Sequence, residues 1–361
     1  MIGNAAHRVS GLIGSIILTF VVCGICAFAS QEKISPLSDY QYKRDFPRYE
    51  AIKKEADIQK RADLLVAFVK ERPISRILLY AATDYLECVK PLIEKKDWAK
   101  AIAMEEAFLA LVPDDKALQA AEIPVGVEEF KKDQMVPTQK LLLSALIAAY
   151  YQSNNMPKAA EAAEKVYAIA PDKSMLPVLT DIYLKSQNID KYLEYGQKIL
   201  AEYPMEQGYA TALQMSQVYI QKQDVKTATE LLTKVMEIYG DKTPPNVQEA
   251  AWNPTRAFAY GVIASGIYAT KDYVKALELY EKVAKFEPKR EDAHYFIGMC
   301  KWQNKDPEGA IEAFARSVVL KGSYAARAQK YLEDLYKARH SDSLDGLDQV
   351  LAKAKSELGV Q

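Results

Sequence analysis

The residues able to do chemistry are few and scattered. There are three histidines, His7, His294 and His340, and four cysteines, Cys23, Cys26, Cys88 and Cys300. A nucleophilic triad needs Ser or Cys, a base and an orienting acid within reach of one another. His7 lies in the N-terminal segment, His294 opens a helical pattern and His340 stands in a polar turn, so no such grouping is indicated. No G-x-S-x-G elbow, H-E-x-x-H or doubled C-x-x-C occurs. Cys23-Gly24-Ile25-Cys26 is formally a redox or metal pair. It sits in an apolar run without βαβ context, and Ala27 stands where haem attachment requires His. Asp342-Ser343-Leu344-Asp345-Gly346 hints at a calcium loop but lacks the spaced carboxylates and the closing Glu, so it reads as a helix cap. Other carboxylates alternate with lysines at helix-surface spacing, as Glu278 and Lys282 do. The expectation is a protein that is not an enzyme, with no catalytic residues, no metal and no cofactor.

Composition narrows the class further. Lys+Arg number 47 against 48 Asp+Glu, a formal charge of −1, which removes the basic footprint that nucleic-acid binding requires. Fifteen glycines in 361 residues leave little room for Gly-rich phosphate loops. Gly11 to Ala29 is uncharged and apolar and ends in Ala27-Phe28-Ala29, the small-x-small pattern of a signal-peptidase site. Residues 1–29 are therefore expected to be a signal peptide, with an exported chain, periplasmic or extracellular, beginning at Ser30. The run also approaches the ~20 residues that span a bilayer, so an inner-membrane anchor at residues 9–29 is the alternative. Neither Val22 before Cys23 nor Ile25 before Cys26 is the small residue that lipid-modifying processing requires.

The elements that would position any site are helical nearly throughout from Tyr49, with no long alternating β-branched runs. Residues 30–47, punctuated by Pro36 and Pro47, read as a polar tether. Residues 48–74 read as an N-terminal helical cap, with Ala62, Leu65 and Phe68 at helical spacing. Asp272-Tyr273-Val274-Lys275-Ala276 then realigns with Asp306-Pro307-Glu308-Gly309-Ala310 at an offset of 34, which also pairs Ala264 with Gly298 and Tyr280 with Phe314. Small residues recur at one place, as Ala101, Ala159, Ala228, Ala276 and Ala310, with Tyr192 a departure. Pro113, Pro171, Pro204 and Pro288 punctuate the helix pairs.

A two-helix unit of 34 residues with this pattern resembles the tetratricopeptide repeat (TPR) family. The resemblance covers roughly residues 75–340 and implies an all-α TPR-type solenoid, a right-handed superhelix of antiparallel helix pairs. Repeats would occupy 75–322, with capping helices at 323–361. The period is broken by insertions at 114–139 and 241–256, which are expected to be surface loops, the second carrying Trp252 as a specificity element. Cys88 and Cys300 fall in the first and last full repeats, too far apart to meet the ~7 Å Cα limit of a disulfide. Two free, packed thiols are expected.

In TPR proteins the first helix of each pair lines the concave groove. Carried over by motif position, that gives Ser144, Tyr151, Gln152, Asp181, Lys185, Leu213, Gln217 and Gln221, then Phe258, Ser265, Tyr268, Tyr295, Met299, Trp302 and Gln303. The Lys and Asn of carboxylate-clamping TPR domains are missing: the pairs there are Ser144/Ala148, Leu213/Gln217, Gly261/Ser265 and Tyr295/Met299. Amide and aromatic groups suit an extended peptide or an amphipathic helix. The resemblance thus implies a scaffold for a protein or peptide partner in the cell envelope, with no nucleic acid and membrane contact only through the N-terminal segment. The alternative is a glycan-handling accessory of polysaccharide export or cell-wall assembly.

Overall fold

The computed structural model describes residues 35–240 and 242–361. The apolar segment, with Cys23, Cys26 and the cleavage or anchor expected there, lies outside the described residues. Among the described residues there is no strand, and no helix is long and apolar enough to cross a membrane. The helices follow in antiparallel pairs. After α1 (Asp39–Lys53) and α2 (Ile58–Glu71) come α3 (Leu78–Glu94) with α4 (Trp98–Leu109), then two short helices, α5 (Asp115–Ala120) and α6 (Val127–Phe130). The array continues with α7 (Val136–Gln152) and α8 (Met156–Ile169), α9 (Met175–Lys185) and α10 (Ile189–Glu202), α11 (Met205–Gln221) and α12 (Val225–Tyr239). It ends with α13 (Glu249–Ala269) and α14 (Tyr273–Phe286), α15 (Glu291–Gln303) and α16 (Pro307–Leu320), α17 (Ala325–Arg339) and α18 (Leu347–Leu358). Each second helix up to α14 packs against its own first helix and against the first helix of the next pair, as in α7–α8–α9 and α13–α14–α15, while α18 packs back on α16.

One turn builds this stack repeatedly. The second helices α4, α8, α10, α12, α14 and α16 are capped by Asp97, Asn155, Asn188, Asp224, Asp272 and Asp306, whose side chains each accept the backbone N–H three residues on. The residue before each cap is left-handed: Lys96, Asn154, Gln187, Gln223, Lys271 and Lys305. In five of these turns the cap N–H also reaches back to a carbonyl of the first helix, as Asp97 does to Leu92 at 2.8 Å and Asn155 to Tyr150 at 2.7 Å. This Schellman-type closure fixes the angle at which the chain re-enters. Four residues past the cap stand Ala101, Ala159, Ala228, Ala276 and Ala310, all with no exposed surface. A methyl there lets two helix backbones approach closely. Tyr192 occupies the same place in α10 and is fully buried, its hydroxyl without a partner. Room is made one turn later by Gly196, where an added Cβ would lie 2.6 Å from Met215 Sδ. At the last repeat Gly298 is needed for the same reason, since its Cβ would meet the Phe314 ring at 2.7 Å.

Three expectations need correcting. The tether over 30–47 is half helix: α1 starts at Asp39, with Ser38 Oγ accepting the Gln41 N–H, and runs through Pro47 because Gln41, Asp45 and Tyr49 bury one side of it. The insertion at 114–139 is not a surface loop. It forms α5, α6 and a π-helical turn (Lys131–Met135) that runs straight into α7, and it buries Leu118, Phe130 and Met135 in the N-terminal core. Gln134 Oε1 accepts the Leu79 N–H at 3.1 Å, completing the start of α3, whose Ile77 cap has no side-chain oxygen to offer. The second half of the insertion at 241–256 lengthens a first helix, because α13 begins at Glu249 and passes through Pro254. The cap expected over Asp342–Gly346 is present: left-handed Gly346 is the N-cap of α18, without a side-chain bond.

Candidate functional site

The side of α11 opposite its core-facing residues is the most regular open surface. Gln207, Ala210, Gln214, Gln217 and Gln221 are all exposed and recur at alternating spacings of three and four, so they form one stripe. The core side of α11 carries Gly208, Ala212, Met215 and Ser216. No side-chain hydrogen bond engages Gln207, Gln214, Gln217 or Gln221 among the described residues, nor Gln152 of α7 or Gln303 of α15. These amides therefore stand with donors and acceptors free. Gln207 and Gln214 were missed by motif mapping; the heptad-like spacing along the helix was the signal that could have found them.

Neighbouring first helices touch through side chains on this face. Tyr151 of α7 donates its hydroxyl to Asp181 of α9, and Lys185 Nζ lies 4.1 Å above the Tyr151 ring and 3.5 Å from Asp181. Burial raises the Asp181 carboxyl above its ordinary value. Three residues predicted as separate groove contacts are thus one clip joining two repeats. In the C-terminal half the rings form a continuous chain. Tyr268 of α13 packs edge-on to Tyr273 and Phe296, each at 5.3 Å. Phe296 stacks on Tyr280 at 5.1 Å, and Tyr295 on Tyr324 at 4.7 Å. Burial, with Cys300 and neighbouring tyrosines adding to it, pushes the Tyr268 hydroxyl up to about 12.

This chain of rings sorts the predicted anchors. Trp302, 37% exposed, leans on Tyr331 of α17 at 5.4 Å and presents a free indole edge. Tyr331 was not among the predicted residues; it lies in the helix beyond the last full repeat. Tyr268 and Phe258 are half-buried, Phe258 packed against the core of α12 and α13. Tyr295, expected in the groove, is only 7% exposed because Phe296, Phe314 and Tyr324 close around it. Trp252, expected on a specificity loop, is 3% exposed within α13. Its Nε1–H donates to the Tyr239 carbonyl at 3.2 Å, and its ring meets Tyr209 and Tyr239 edge-on, so it anchors α13 to α12.

The buried reactive groups are packed into the helix stack, Cys88 Sγ accepting from Arg61 Nε at 3.3 Å. Cys88 and Cys300 are free buried thiols in α3 and α15, and burial pushes the Cys300 thiol up to about 12. His294 is lowered by burial, its Nε2 lying 2.8 Å from the Pro288 carbonyl. Among the described residues no His, Cys, Asp and Glu side chains assemble into a metal-holding group.

No family model and no curated relative matches the chain. Solved structures similar to it are MamA, at 18% identity over 50% of this chain and 94% of that one with a TM-score of 0.35, and MamA from Desulfovibrio magneticus RS-1, at 15% over 53% and 97% with a TM-score of 0.33. A third is YrrB, a TPR protein with an unusual peptide-binding site, at 15% identity over 57% and 96% with a TM-score of 0.39. The assignment is carried by the chain itself. With its repeated cap-and-left-handed turn, its buried alanines at five of six such helix crossings and its pair-on-pair stacking, this chain is an all-α solenoid of antiparallel helix pairs.

Proposed function

We propose that the chain is a non-enzymatic scaffold of the cell envelope that holds an exported protein partner along its first-helix face. The observation that carries this reading is the stripe of unengaged amides on the first helix α11, with the exposed Trp302–Tyr331 ledge on the later first helices α15 and α17. Free amides can pair with the backbone of an extended peptide, and a half-exposed indole on a packed neighbour is a rigid anchor of low entropic cost. The burial of Tyr295 and Trp252 moves specificity from the insertions to Gln214, Gln217, Gln221 and Trp302.

A crosslinking capture from native envelopes tests this, using the full chain beside a Gln214→Ala/Gln217→Ala/Trp302→Ala variant. All three positions are exposed, so helicity is retained. A defined protein captured by the parent and lost by the variant supports the reading. Equal capture by both overturns the assignment of the face. Binding of purified glycan by the parent, with no protein captured, favours the glycan-handling alternative instead.

A further inference from the structure

The outer face of the N-terminal cap helix α1 mixes exposed aromatic rings with its charges. The outer face of a terminal helix is ordinarily polar, because nothing stacks on it. The core side of α1 packs Tyr42, Tyr49 and Ile52 and also buries polar groups: Gln41 Nε2 donates to Asp45 Oδ1 at 2.8 Å, Arg72 Nε lies 3.5 Å from the same carboxylate, and Tyr49 donates to Asp84 at 2.6 Å. Tyr40, Lys43, Arg44, Pro47, Ala51 and Lys54 are exposed on the other side, with Phe46 at its margin. Tyr40 is 56% and Phe46 41% exposed. The C-terminal cap differs. Its α18 has no exposed large apolar residue, and Lys353 is paired with Glu312 at 2.8 Å.

The charge on the open side of α1 is cationic. Lys43, Arg44, Lys53 and Lys54 make no ion pair among the described residues, while Asp39, at the start of the helix, is neutralised by Arg76 at 2.6 Å. Aromatic rings interleaved with unpaired cations on one helix make the composition of a segment that lies in the headgroup layer of an anionic membrane. The chain upstream fits that occupant. Only residues 30–38 separate α1 from the apolar run Gly11–Ala29. Nine extended residues reach about 30 Å, so a bilayer-inserted run would keep α1 at the surface.

We infer that α1 docks on an anionic lipid surface through Tyr40, Lys43, Arg44, Phe46 and Lys54. The solenoid then stands off the membrane from its N-terminal cap, with the α11–α15 face left free for a partner. The inference does not depend on what that partner is.

The test uses the full chain carrying Phe46→Trp, reconstituted in phosphatidylcholine vesicles with or without about one-third phosphatidylglycerol. Bromine-labelled acyl chains serve as the fluorescence quencher, and the parent chain supplies the signal of Trp98, Trp252 and Trp302 to be subtracted. The expected result is quenching of the added Trp at least about twofold stronger on anionic vesicles, lost with Lys43→Glu/Arg44→Glu and weakened at about 0.5 M salt. A Tyr40→Ser variant, which keeps the charge, should lose part of the quenching. Equal quenching on both lipids, or quenching indifferent to charge reversal, overturns the proposal. So does an emission shift reproduced by concentrating the detergent-solubilised chain without lipid, which would make a second copy the occupant. Capture of the partner by the α11–α15 face is read separately and is unchanged in the α1 variants.

Discussion

Glu105 offers the sharpest test of how the array is held together. It shares the buried side of α4 with Ala101 and Phe108, has no exposed surface, and neither carboxyl oxygen finds a hydrogen-bond partner. The nearby Tyr85 hydroxyl is already committed to the Met104 carbonyl at 3.1 Å. Burial alone pushes the carboxyl from 4.5 to about 7. The folded state therefore holds this proton more tightly than the unfolded chain does. Below pH 4.5 both states are protonated and the site costs nothing electrostatically. As pH rises from 4.5 to about 7 the unfolded chain releases the proton while the folded chain keeps it, so stability falls. Above that window the full cost is present, about 3 kcal/mol from ~1.4 kcal/mol per unit. A glutamine amide at this position cannot titrate. The Glu105→Gln variant should therefore gain about 3 kcal/mol relative to the parent between pH 4.5 and pH 8, whatever its offset at the acid end. Because repeat arrays open piecewise, the readout is the local opening free energy of the α3–α4 amides by hydrogen exchange, not a global melting point. An offset between variant and parent that is the same at both pH values would refute the argument. It would mean that the charged carboxylate finds compensation that this packing does not offer.

Other substitutions test the packing. Tyr192→Phe removes a buried hydroxyl without a partner and should raise stability by about 1 kcal/mol in urea unfolding. Gly298→Ala should lower it by about 1–2 kcal/mol, because the collision with Phe314 outweighs the gain in helix propensity. Trp252→Ala should cost about 3–5 kcal/mol and uncouple α13 from α12, whereas Trp302→Ala should cost under about 1 kcal/mol and act on partner capture alone. Reversal of that order in parallel thermal melts would restore Trp252 to the surface.

Much of the architecture was legible because it is local and repeated. The 34-residue offset, the Asp and Asn caps and the alanines four residues later are properties of single turns, and a turn reads the same wherever it occurs. The helix-ending prolines and the separation of Cys88 from Cys300 followed from the same periodicity. The insertions were misread because proline and a broken period signal a loop only where no core is on offer. Trp252, Phe130 and Met135 each met one, and Pro254 did not stop α13.

The face was half legible. Which residues stand on the first helices follows from helical repeat, and so Gln217, Gln221 and Trp302 were found. Which of their rings remain open depends on neighbours 30 or more residues away: Tyr324 covers Tyr295, Asp181 takes the Tyr151 hydroxyl, and Tyr331 props Trp302. Sequence alone determined the helix pairs and their turns, because short-range geometry and composition suffice for these. The tertiary structure decided exposure. Burial is set by the next pair in the stack, and no residue carries that information by itself.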